Sequence, residues 1–148
     1  MGLTKSREKI LTIQLGQLGF LALSNAVLGA YTGVVMNLVS VLRNILCLKV
    51  KYTWALKLTI SAALVGLGLL ANNHGLIGVL PIISSTLITC CLDIDDVVKL
   101  KTLYIIAQTL LIFYDIAVKN YAAAGMETFG AISNAIAIIS VKKAAKQS

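Results

Sequence analysis

The sequence predicts an all-α polytopic membrane protein, and three observations carry that prediction. Apolar residues run in long uninterrupted blocks. Only 13% of the 148 residues are charged, against 58% hydrophobic, where a soluble domain carries about a quarter. The basic residues also fall on one side of the blocks. In a soluble protein the net charge of +7 would suggest nucleic acid. Here it reflects topology, because lysine and arginine collect in cytoplasmic loops. The expected partner is the lipid bilayer, with no nucleic acid.

Crossing the hydrocarbon takes roughly 17–25 apolar residues as helix, and six segments qualify. The first, near 10–28, follows the charged "KSREK" and is too long for a cleaved signal, with no small-residue cleavage site. The second runs near 33–49 and the third near 54–71. The fourth, near 76–92, holds Pro81 close to its start, where a missing N–H has no partner anyway. The fifth, near 99–118, follows the acidic "DIDD" (Asp93, Asp95, Asp96). A calcium site would need more oxygen ligands and a glycine turn, so a solvated loop is expected. The sixth runs near 121–141. Together they make one membrane domain over residues 1–148.

Charge sets the orientation. Lys5, Arg7 and Lys9 precede the first span, Lys49 and Lys51 follow the second with Lys57 just inside the third, and Lys99 and Lys101 open the fifth. Lys142, Lys143 and Lys146 follow the sixth, while the opposite loops hold only Lys119. The positive-inside rule therefore makes both termini cytoplasmic, in a plasma (inner) membrane. Tyr52 and Trp54 suit the inner aromatic belt, and Tyr31 and Tyr121 the outer one.

A shift of 90 positions superimposes the first two spans on the last two without a gap. Lys9 meets Lys99, Thr12 meets Thr102, Leu21 meets Leu111, Tyr31 meets Tyr121, Met36 meets Met126 and Asn44 meets Asn134. Asn25 meets its near-isostere Asp115. At 100° per residue, Asn37, Ser40, Arg43 and Asn44 form one stripe, and Glu127, Gly130, Ser133 and Asn134 form its counterpart. Gln14, Gln17, Leu21, Ser24 and Asn25 line the first span, and Tyr104, Ala107, Gln108, Leu111, Tyr114 and Asp115 the fifth. Lipid cannot satisfy such groups, so the stripes are expected to face each other across a polar interior. The candidate cavity residues are therefore Gln14, Gln17, Asn25, Asn37, Ser40, Arg43, Asn44, Gln108, Tyr114, Asp115, Glu127, Ser133 and Asn134.

Blander readings stand beside this one. Amides and hydroxyls also act as glue between membrane helices. Arg43 can snorkel to the inner surface, and Glu127 and Asp115 lie near the outer one. Gly16, Gly19, Gly66 and Gly68 read as close helix packing; Gly29, Gly33, Gly125 and Gly130 would allow rocking or equally static packing. Cys47, Cys90 and Cys91 lack metal spacing and read as small buried hydrophobes. His74 reads as a solvated loop residue. There is no catalytic set, no phosphate loop, no metal motif and no cofactor signal, so an enzyme is not expected.

"VLGAYTGVVMNLVSVLRNILCLK", "GLIGVLPIISSTLI" and "FYDIAVKNY" together resemble the bacterial inner-membrane YgjV family, over essentially the whole chain. More distantly, the layout is similar to the three-helix-repeat carriers: SWEET, PnuC and other PQ-loop proteins. That resemblance implies a 3+1+3 plan, with 10–49 an incomplete first repeat, 54–71 the linker helix and 76–141 the second repeat. It also implies a further helix before the basic loop, which is missing here. Truncation, a misassigned start, or completion by a homodimer or partner helix would each account for that. By the same analogy Asn44 and Asn134 would line a solute pocket. The function expected is transport of a small polar solute (sugar, nucleoside or vitamin precursor) by alternating access. The alternative is a non-transporting membrane scaffold or partner subunit. Proton coupling would require access to Asp115 or Glu127.

Overall fold

Among the described residues six helices follow one another: α1 (Gly2–Val27), α2 (Tyr31–Lys49), α3 (Trp54–Leu70), α4 (Val79–Cys91), α5 (Val97–Ala117) and α6 (Tyr121–Gln147). The structure is a computed structural model that describes residues 2–147, with side chains from 11 to 146. No strand occurs among the described residues. The side chains of Lys5, Arg7 and Lys9 lie outside the described residues. Helix α1 begins well before the apolar run, and α6 continues through its basic end.

Among the described residues, three helices are long and apolar enough to cross a membrane: Tyr31–Lys49, Val97–Ala117 and Tyr121–Lys146. The other apolar segments, Leu11–Val27, Trp54–Leu70 and Val79–Cys91, are shorter. At 1.5 Å per residue α4 is only about 20 Å long, two-thirds of a hydrocarbon core. It starts three residues later than the sequence predicts. Gly75, at φ +60°, and an Asn72 side chain bonded to the His74 N–H (3.1 Å) and to the Gly75 carbonyl (2.8 Å) hold the preceding segment in turns.

Packing runs around the bundle in chain order. The closest pairings are α1 with α2 and α5 with α6; α4 packs on α3 and α5 and also reaches α2, while α1 and α6 meet sparingly. An apolar core of Met36, Ile60, Leu64 and Ile82 fills the space between α2, α3 and α4. Gly68 makes that core possible, since a Cβ there would lie 2.7 Å from Ile82 and 2.8 Å from Met36. Gly16, Gly19 and Gly66 are different. A Cβ on any of them would meet nothing, so the close-packing role expected for them is not found; all three face outward.

The inside and outside are inverted relative to a water-soluble protein. Ile13, Leu23 and Val27 on α1, Leu70 on α3, and Phe129 and Ile136 on α6 are exposed. Asn25, Arg43, Asn44, Ser84, Thr89, Gln108, Asp115, Asn120 and Glu127 are buried. Water would favour the opposite arrangement, whereas hydrocarbon favours this one.

The 90-residue offset is visible in the backbone of the two hairpin turns. Ala30 N–H donates to the Asn25 carbonyl at 2.9 Å, and Asn120 N–H to that of Asp115 at 2.7 Å. Gly29 N–H donates to Ala26 and Lys119 N–H to Ile116, each at 3.1 Å. This is a Schellman ending, and its left-handed residue is Gly29 (φ +67°) in one turn and Lys119 (φ +62°) in the other. Both turns lie at the same end of the bundle, because Asn120 Nδ2 of the second donates to Asn25 Oδ1 of the first at 2.9 Å.

Candidate functional site

Polar side chains occupy two layers, one near the α2–α3 junction and one beneath the hairpin turns. Arg43 anchors the first. It is 3% exposed and does not snorkel: Nε and Nη2 both donate to Asn44 Oδ1 (3.1 and 3.0 Å), and Nη1 donates to Thr89 Oγ1 (3.1 Å) and the Ser85 carbonyl (3.5 Å). Asn44 Nδ2 donates onward to Gln14 Oε1 at 3.3 Å. The expected counterparts of this stripe on α6 are not its partners; α4 supplies them, because α4 and not α6 lies against that face of α2. Arg43 makes no ion pair with Asp115 or Glu127 among the described residues.

Loop residues close this layer from below. Tyr52 Oη donates to the Thr89 carbonyl. Lys57 Nζ reaches both Asp93 oxygens at 2.8 Å and sits 5.1 Å from the Trp54 ring centroid. Asp96 accepts from the Val98 and Lys99 N–H groups and caps α5. The acidic loop is thus partly structural, not simply solvated.

A second chain of amides runs along α5 and α6. Lys101 Nζ donates to Asn134 Oδ1 (3.2 Å), and Asn134 Nδ2 to Gln108 Oε1 (3.1 Å). Gln108 then bonds to Glu127. Asn44 and Asn134 therefore play matching roles, each accepting from a cation and donating to a glutamine. Gly130 makes room for this, since a Cβ there would collide with Gln108 Nε2. Ser133 does not belong to the interior: it is exposed. It lies about 120° around the helix from Glu127, and no helix covers α6 there as α4 covers Arg43 on α2.

Beneath the turns the layer is looser. Asn25, Asn37, Tyr114, Asp115 and Glu127 give the polar lining of a cavity of about 10 Å³, and Leu21, Met36, Pro81 and Leu111 the apolar lining. That volume holds about one water. Glu127 and Asp115 are each 4% exposed, so neither reaches the surface. Tyr114 Oη accepts from Gly33 N–H at 3.2 Å. Asn25 lies against Gly33, where a Cβ would come within 2.6 Å of its amide nitrogen. No described residue hydrogen-bonds to the Asp115 carboxyl. Gln17 is half-buried and Ser40 buried, both away from the cavity lining.

One residue that sequence reasoning passed over and one that it read differently matter here. Asn120 accepts from Ser24 Oγ (2.8 Å) and Ala123 N–H (3.2 Å) while donating to Asn25. Its position just before a helix start was the available signal; its counterpart in the first turn, Ala30, forms no side-chain cap. His74 is half-buried rather than solvated, edge-on to Tyr114 with centroids 6.3 Å apart.

An apolar exterior around a buried polar interior describes a membrane protein. A family model described as bacterial inner membrane protein, Imp-YgjV, matches residues 1–145. The chain belongs to the Imp-YgjV family. No curated protein and no solved structure matches it. Membership in Imp-YgjV gives a bacterial inner membrane and names no reaction or cargo.

Proposed function

We propose that this Imp-YgjV protein is a multi-pass carrier of a small polar solute, a sugar, nucleoside or vitamin precursor, seen in a closed state. The observation that carries the reading is the polar cavity beneath two like hairpin turns, with a buried, unbonded Asp115 in its wall. Repeat-built carriers hold their solute between pseudo-symmetric units and move by rocking one against the other. On this reading all six helices cross or enter the membrane, both termini are cytoplasmic, and the plan is that of the SWEET-like carriers. The one-water volume requires the hairpins to part before a solute enters.

A second reading, a non-transporting scaffold or partner subunit, has its own support: Arg43, Asn44 and Gln14 are bonded in one chain, and Asn134 and Gln108 in another. Proteoliposomes separate the two. Counterflow of a labelled solute from a panel of sugars, nucleosides and vitamin precursors, lost when Asn37 and Asn25 are changed to Leu, supports the carrier. No flux of any solute across the panel, with the folded chain recovered from the liposomes, supports the scaffold.

A further inference from the structure

Two carboxyl groups line one cavity inside the bundle, and neither makes an ion pair among the described residues. Glu127 is held from one side by the Gln108 amide. Asp115, 96% buried and facing the cavity, accepts no hydrogen bond from a described residue. A carboxylate left so in a low-dielectric interior is costly unless something of opposite charge joins it. The rest of the polar wall is neutral and rich in oxygen: the Asn25 and Asn37 amides and the Tyr114 hydroxyl.

Cavity size limits the occupant to about one water. Magnesium keeps several of its waters, and calcium takes six to eight oxygens. The described residues also contain no group of three His, Cys, Asp or Glu able to hold a metal. A dehydrated monovalent ion needs neither the waters nor a third carboxylate.

We propose that this cavity binds a small monovalent cation of the size of sodium, held between Asp115 and Glu127 with the Asn37 and Tyr114 oxygens around it. The inference goes beyond the carrier reading, because an ion can be held here whether or not a solute moves.

The test uses the full chain purified in detergent and radiolabelled sodium in a scintillation proximity assay. The expected result is saturable binding, displaced by unlabelled sodium and weakened at least about tenfold by Asp115→Asn and by Glu127→Gln. Ser140→Ala, on the exposed end of α6, serves as the control and keeps the wild-type affinity. All variants are first shown to be folded by size exclusion and thermal unfolding. A folded wild-type chain that takes up no sodium saturably overturns the proposal. So does an Asp115→Asn chain that binds as tightly as the wild type.

Discussion

The two polar layers of this bundle are built from similar side chains and end differently. Around Arg43 each guanidinium nitrogen finds an acceptor, and the charge is spread over Asn44, Thr89 and the Ser85 carbonyl. Around Asp115 the wall carries two carboxyls, a one-water cavity and a bare acceptor. The first layer is saturated and holds helices together. The second is unsaturated, and that is where a ligand has something to gain. The comparison teaches that burial of charge alone does not mark a site in a membrane bundle; unspent hydrogen-bonding capacity does.

The largest effect expected of this contrast is at Asn44. Changing Asn44→Leu removes the acceptor of two guanidinium bonds and leaves a buried cation under-bonded, at a cost of about 3 kcal/mol. Unfolding of the purified chain by denaturant in detergent reads it as a lower midpoint. At Asp115 the sign reverses. In buffer free of sodium, Asp115→Asn removes a buried carboxyl that no described residue hydrogen-bonds and is expected to raise the midpoint, by about 1 kcal/mol. Equal losses at both positions would abolish the contrast.

A smaller test concerns the two turns. Lys119 holds the left-handed position that Gly29 fills in the first turn, a conformation that costs a side chain about 1 kcal/mol. Lys119→Gly is expected to stabilise the chain by about 0.5 kcal/mol after the entropy of glycine is counted, and Gly29→Ala to destabilise it.

Much of the fold was legible because hydrocarbon imposes so strong a pattern. Apolar blocks between polar turns located all six helices; ends differ by one to three residues where local bonds intervene, as Asn72 does before α4, while α1 begins well before its apolar block and α6 runs past its own into the basic end. Span number is another matter: among the described residues three helices are both long and apolar enough to cross a membrane. Helical spacing also placed Asn44, Gln108, Asp115 and Glu127 inside. What it could not supply was which helix lies opposite. The shift by 90 residues paired Arg43 with Ser133, yet α4 buries the one and nothing covers the other. Asn120 was obscured by the same symmetry, because its counterpart is Ala30 and its bonds cross between the hairpins. Gly16 and Gly19 read as close helix packing, but they face outward.

The contrast between a saturated and an unsaturated layer is tested most directly by thiol accessibility in proteoliposomes. Single cysteines would replace Asn37, Glu127, Asn44 and Ser85 in turn, in a chain with Cys47, Cys90 and Cys91 changed to Ala, with Lys119→Cys as the exposed control. A small aqueous reagent admitted to both faces is expected to modify Asn37→Cys and Glu127→Cys and to leave Asn44→Cys and Ser85→Cys intact. Protection at 37 and 127 with full labelling at 119, or equal labelling at all four interior positions, would contradict the account.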